Sequence, residues 1–119
     1  MIAVRKILAM ASLLAVVVPA QAADLGVGSN QCQLATSSTL LSQTSNAALK
    51  EDVVKLMNEA VSVADDSQWI NSRRPAFTWA SEAKVACGKA YGYLKADYRD
   101  EDTLNKCECF HARMVQYMN

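Results

Sequence analysis

Four cysteines constrain this chain more than any other feature. Two of them are nearly adjacent, in Cys107-Glu108-Cys109, followed by Phe110 and the only histidine, His111. Their setting decides how they are read. The chain opens with Arg5 and Lys6, an uncharged apolar run from Ile7 to Val18, and small residues at Ala20 and Ala22. That order of parts is the pattern of a secretory signal peptide, with cleavage expected after Ala22. The apolar run is shorter than the about 20 residues of a transmembrane helix, so an uncleaved anchor is the second reading. Residues 23–119 then form a single small domain. A domain of this size buries only about 60–65% of its unfolded surface and gains much from covalent staples. An even number of cysteines in an exported chain is expected to supply them as disulfides. The expected location is the bacterial periplasm or the medium outside the cell.

Periodicity predicts an all-α fold of three helices with an N-terminal arm. The arm, residues 33–43, is rich in Ser and Thr around Leu34, Leu40 and Leu41 and holds at most one helical turn. Ser45 or Asn46 is suited to cap a helix from Asn46 to Ala64, whose Leu49, Val53, Leu56, Met57, Ala60 and Ala64 recur at helical steps. Residues 68–74 connect it to a second helix, about Pro75 to Ala96, because proline suits a first turn. A stripe of Phe77, Ala80, Lys84, Cys87, Tyr91, Leu94 and Tyr98 follows that helix. Gly88 and Gly92 lie one turn apart within it, and close approach of a neighbouring helix is the expected compensation for their cost. Asp100 is placed to cap a third helix, from Glu101 to about Tyr117. A short turn joins the last two helices, which predicts an antiparallel helical hairpin.

Winding the cysteines onto helices restricts their pairing. Residues two apart point about 200° from each other around the axis, so Cys107 and Cys109 cannot bond one another without unwinding it. Cys107 shares a face with Leu104, Phe110, His111, Met114 and Met118, whereas Cys109 lies with Asp102, Lys106, Arg113 and Gln116. The favoured pairing is therefore Cys87–Cys107 across the hairpin and Cys32–Cys109 pinning the arm outside it. A modest rotation of the last helix selects the other surviving pairing, Cys32–Cys107 with Cys87–Cys109.

The same residues bear on function. Cys107, His111, Met114 and Met118 form a stripe of soft donors suited to copper or zinc, which makes a soft-metal-binding protein the alternative function. Against it, exported cysteines oxidise, and a Met-bearing helical stripe usually serves a core. No cofactor is therefore expected. A redox or hydrolytic enzyme is not expected either, since no CxxC pair, oxyanion arrangement or carboxylate pair is visible. Residues 97–108 resemble a calcium loop only superficially, with Arg99 and Asp102 at positions that need a ligand and a glycine. After cleavage the chain keeps ten basic and twelve acidic residues, without the basic footprint of a nucleic-acid binder. No later segment suits a membrane. What remains is a candidate protein-binding patch, Trp69, Arg73, Arg74, Phe77 and Trp79, rich in the residue types that dominate binding hot spots. Its competing role is to cap the open end of a thin core.

Overall fold

The computed structural model describes Cys32 and residues 38–119. The expected signal segment, residues 1–22, the residues 23–31 that follow it and arm residues 33–37 lie outside the described residues. Helices α1 (Thr39–Ser42), α2 (Asn46–Ala64), α3 (Ser67–Ile70), α4 (Ala76–Lys95) and α5 (Glu101–Met118) follow in order. No strand occurs among the described residues. The three long helices stand where their periodicity places them. The structure adds a short helix, α3, in the connection after α2, and the arm forms the single turn α1.

The helix starts follow from side-chain oxygens. Ser45 accepts from the amide of Ala48 at 3.3 Å, Asp66 from Gln68 at 2.8 Å and Asp100 from Thr103 at 2.9 Å. Each satisfies an amide that the first turn leaves without an internal partner. The end of α4 closes differently. Tyr98 N donates to Tyr93 O and Asp97 N to Leu94 O, both at 3.0 Å. This pair of bonds is a Schellman motif, and its apolar contact is the edge-on Tyr93–Tyr98 pair, with centroids 5.5 Å apart. Asp97 occupies the left-handed position, at φ 55°, that glycine usually takes.

Helix α4 packs against both α2 and α5, and its buried face explains how. Ala76, Ala80, Ala83, Ala86, Cys87, Ala90 and Leu94 are buried on it. Five of these seven are alanines, so neighbouring backbones come close. At Cys87 and Cys107 the Cα atoms are 4.5 Å apart. Large side chains come from the partners: Leu49 and Val53 from α2, and Leu104, Phe110 and Met114 from α5. Two expectations change here. The buried stripe is rotated from the one read off Phe77, Lys84, Tyr91 and Tyr98, since Phe77, Lys84 and Tyr98 are exposed. Gly88 and Gly92 are not the points of close approach. A Cβ on Gly92 meets nothing within 4 Å, and one on Gly88 meets only Met57 Sδ at 4.0 Å. The alanines do what the glycines were expected to do, because they lie on the face turned to the other helices.

Two disulfides complete the framework, Cys87–Cys107 and Cys32–Cys109. The first joins α4 to α5 inside the hairpin, and the second fastens the arm to α5 at the edge of the core, with Cys32 buried and Cys109 half-buried. They span 20 and 77 residues. In the loop-closure description such links stabilise by about 3 and about 4.5 kcal/mol, against a total of about 5–15 kcal/mol for a typical domain.

Candidate functional site

The aromatic–arginine segment is assembled by local rules. Helix α3 ends at Asn71, whose side chain bonds back to Ser67 O at 2.9 Å. Ser72 Oγ accepts from the amide of Arg74 at 3.1 Å, and Pro75 leads into α4. The five candidate residues then part company. Trp69 and Trp79 are half-buried against the core, and Trp79 meets Phe110 at 5.8 Å between centroids. Arg73, Arg74 and Phe77 face outward, Phe77 with 37% of its surface exposed. Arg74 Nη1 donates to Asn119 O at 3.1 Å, tying the connection to the end of α5. The surface is therefore Arg73, Arg74 and Phe77, with Ile70 at 49% exposure also on this connection. The tryptophans support it from the core side.

The soft-donor stripe is shared out among other tasks. The sulfur of Cys107 is bonded to Cys87, which removes the thiolate that a metal site on this stripe needs. Met114 is buried in the core and Met118 lies at its edge. His111 Nε2 meets Glu59 Oε2 at 2.5 Å, linking α5 to α2. Among the described residues no group of three or more His, Cys, Asp or Glu side chains is placed to hold a metal ion.

A cleft of about 500 Å³ opens where the arm crosses the α2–α5 side of the bundle. Leu40 and Gln43 form its arm wall, and Asp52, Lys55, Glu108 and His111 face them. Glu108 dominates its chemistry. The carboxylate accepts from the amides of Thr39 at 3.1 Å and Leu40 at 3.3 Å, and from the hydroxyls of Ser38 and Thr39. It thus caps the first turn of α1 from a different helix. Burial raises its pKa, but the bonds from Ser38, Thr39 and Leu40 together outweigh that and hold the carboxyl below its ordinary value. Gln43 Nε2 donates to Asp52 Oδ2 at 3.1 Å. Arg99 closes the other end of the arm. Its Nε, Nη1 and Nη2 donate to Asn46 Oδ1, Gln43 O and Thr44 O at 2.7, 2.6 and 3.1 Å.

Glu108 and Arg99 were not singled out from the sequence. Glu108 sits between two cysteines, and one of them anchors the arm, which is the signal that could have found it. Arg99 had no comparable marker, because its three acceptors lie more than fifty residues away. No known family model matches the chain, and neither a curated protein nor a solved structure does.

Proposed function

We propose that the chain is an exported, non-enzymatic binding or stress-protective protein of the bacterial periplasm, and that it engages a protein partner through Arg73, Arg74 and Phe77. One observation carries this reading. The polar groups best suited to chemistry are occupied in holding the structure: Glu108 and Arg99 on the arm, His111 on Glu59, and every cysteine in a disulfide. Arg73 and Phe77 have no comparable task in the core, and Arg74 spends one nitrogen on Asn119 O at the surface. Arginine beside an exposed ring is a common composition for the centre of a protein interface. Two disulfides fit an oxidising compartment, and the opening residues 1–22 fit a cleaved signal. No described helix is long and apolar enough to cross a membrane.

The test replaces Arg73, Arg74 and Phe77 with alanine and leaves Trp79 in place, since Trp79 packs on Phe110. Capture of a partner from a periplasmic extract should be lost while the helical circular dichroism is unchanged. Undiminished capture by the triple variant refutes the surface.

A further inference from the structure

Three ties of different chemistry hold the arm: a disulfide at Cys32, the carboxylate of Glu108 on its turn, and the guanidinium of Arg99 at its end. We propose that the Cys32–Cys109 disulfide is a redox latch, and that exchange with a dithiol reductant frees the Ser38–Ser42 turn to swing off the cleft between α2 and α5. The inference is independent of the Arg73–Phe77 surface.

The two disulfides differ in shelter. Cys87 and Cys107 are both 0% exposed, enclosed between α4 and α5. In the other bond Cys32 is buried at 7% exposure and Cys109 is only half-buried at the edge of the core, so Cys109 is the sulfur within reach. Exchange requires a thiolate to reach one sulfur, so access selects the outer bond. The arm itself is lightly held by packing. Among its described residues Cys32, Ser38 and Leu40 are buried, and α1 has four residues, far fewer than a helix needs to persist alone. Arg99 grips the carbonyls of Gln43 and Thr44, which fixes a pivot where the arm meets α2. Motion about that pivot removes Leu40 and Thr39 from the cleft and uncovers Leu56, Glu108 and His111. The device thus converts a thiol signal into the uncovering of an apolar seat beside a carboxylate.

The chemistry balances with the dithiol as the only co-reactant. One of its thiolates attacks Cys109 Sγ, and the Cys32 sulfur leaves and takes a proton. The second thiol of the reductant then attacks its own mixed-disulfide sulfur, and Cys109 departs as a thiol. The protein disulfide gains two electrons and two protons, and the dithiol becomes a cyclic disulfide.

The folded, oxidised protein is treated with increasing dithiothreitol. Cysteines are alkylated and located by mass spectrometry, and amide exchange is read on the same samples before alkylation. Cys32 and Cys109 should be labelled about tenfold or more faster than Cys87 and Cys107. In that half-reduced species the 38–43 segment should lose protection by about tenfold or more, with α2, α4 and α5 still protected. Simultaneous labelling of all four cysteines overturns the latch. So does an arm that keeps its protection after the outer bond is cut. The double variant Cys32→Ser/Cys109→Ser reads the same motion without reductant. It should show an exposed arm on a protected bundle, and either a protected arm or an unprotected bundle overturns the proposal.

Discussion

Replacing Glu108 should open the arm while leaving the helical bundle closed. The size of the effect follows from the four bonds the carboxylate accepts, two from backbone amides and two from hydroxyls. Bonds to a charged acceptor contribute about 1.5–3 kcal/mol where water is excluded. Glu108 is only partly sheltered, so each amide bond is better compared with a helix cap, at about 1 kcal/mol. The hydroxyls can turn to water and add about 0.5 kcal/mol each at most. Glu108→Ala should therefore cost about 2–3 kcal/mol of local stability, which raises the population of the open arm about 30- to 150-fold. Glu108→Gln keeps one accepting oxygen and presents an NH2 group where Leu40 N also donates. It should fall between the two, at about 1–1.5 kcal/mol. The disulfide remains in both variants, so the loss appears as faster exchange of the Thr39 and Leu40 amides, read by NMR. Exchange in α4 and α5 should not change. Acid should mimic the substitution. The Glu108 pKa is lowered in the fold, so its contribution is full above the ordinary glutamate value and is lost as pH falls through the lower folded value. Arm opening in the native protein should rise over that range, and the Gln variant should lack that rise. Unaltered amide exchange in Glu108→Ala refutes the account of how the arm is held.

Three further substitutions test the helices. Gly92→Ala should stabilise by about 0.5–1 kcal/mol in urea titration, because its Cβ enters open space and the unfolded chain loses freedom. A loss of stability there would mean that the outer face of α4 is covered. Ala83→Leu should cost about 1–3 kcal/mol in the same titration, since Ala83 is fully buried on the face where α4 meets its neighbours. Asp97→Gly should raise the thermal midpoint by a few degrees, corresponding to about 0.5–1 kcal/mol, by relieving the left-handed residue and removing a carboxylate from the negative end of α4. No change in midpoint would show that Asp97 bears no strain.

What could be read in the sequence was whatever repeats with the helix. The boundaries of α2 and α5, and the opposite facing of Cys107 and Cys109, follow from counting residues around an axis. The rotation of α4 was hidden because Phe77, Tyr91 and Tyr98 carry the conspicuous apolar signal, whereas the alanines that form the interface are weak markers of burial. Gly88 and Gly92 misled for a related reason: a small residue reports that space is available, not that a neighbour uses it. Of the candidate surface, Arg73, Arg74 and Phe77 are exposed, while Trp69 and Trp79 serve the core. Nothing periodic distinguishes these two fates. The Glu108 cap and the Arg99 clamp join residues 53 to 70 positions apart, through polar contacts that appear only once the arm has docked.

The outer disulfide also orders the assembly of the molecule in time. It joins the first cysteine of the chain to the last. An N-terminal arm is made first, yet its carboxylate cap, its guanidinium clamp and its sulfur partner are all made later. The arm must wait. Cys87 is the first partner Cys32 encounters, and pairing the two strands Cys107 and Cys109, which a helix holds apart. The inner bond closes a loop of about 20 residues and has the smaller entropic barrier, which favours its closing first and so keeping Cys87 from that error. Helix α5 thus acts as the arbiter of oxidation: by turning Cys107 and Cys109 to opposite sides it keeps them from bonding each other, and one goes to Cys87 and the other to Cys32.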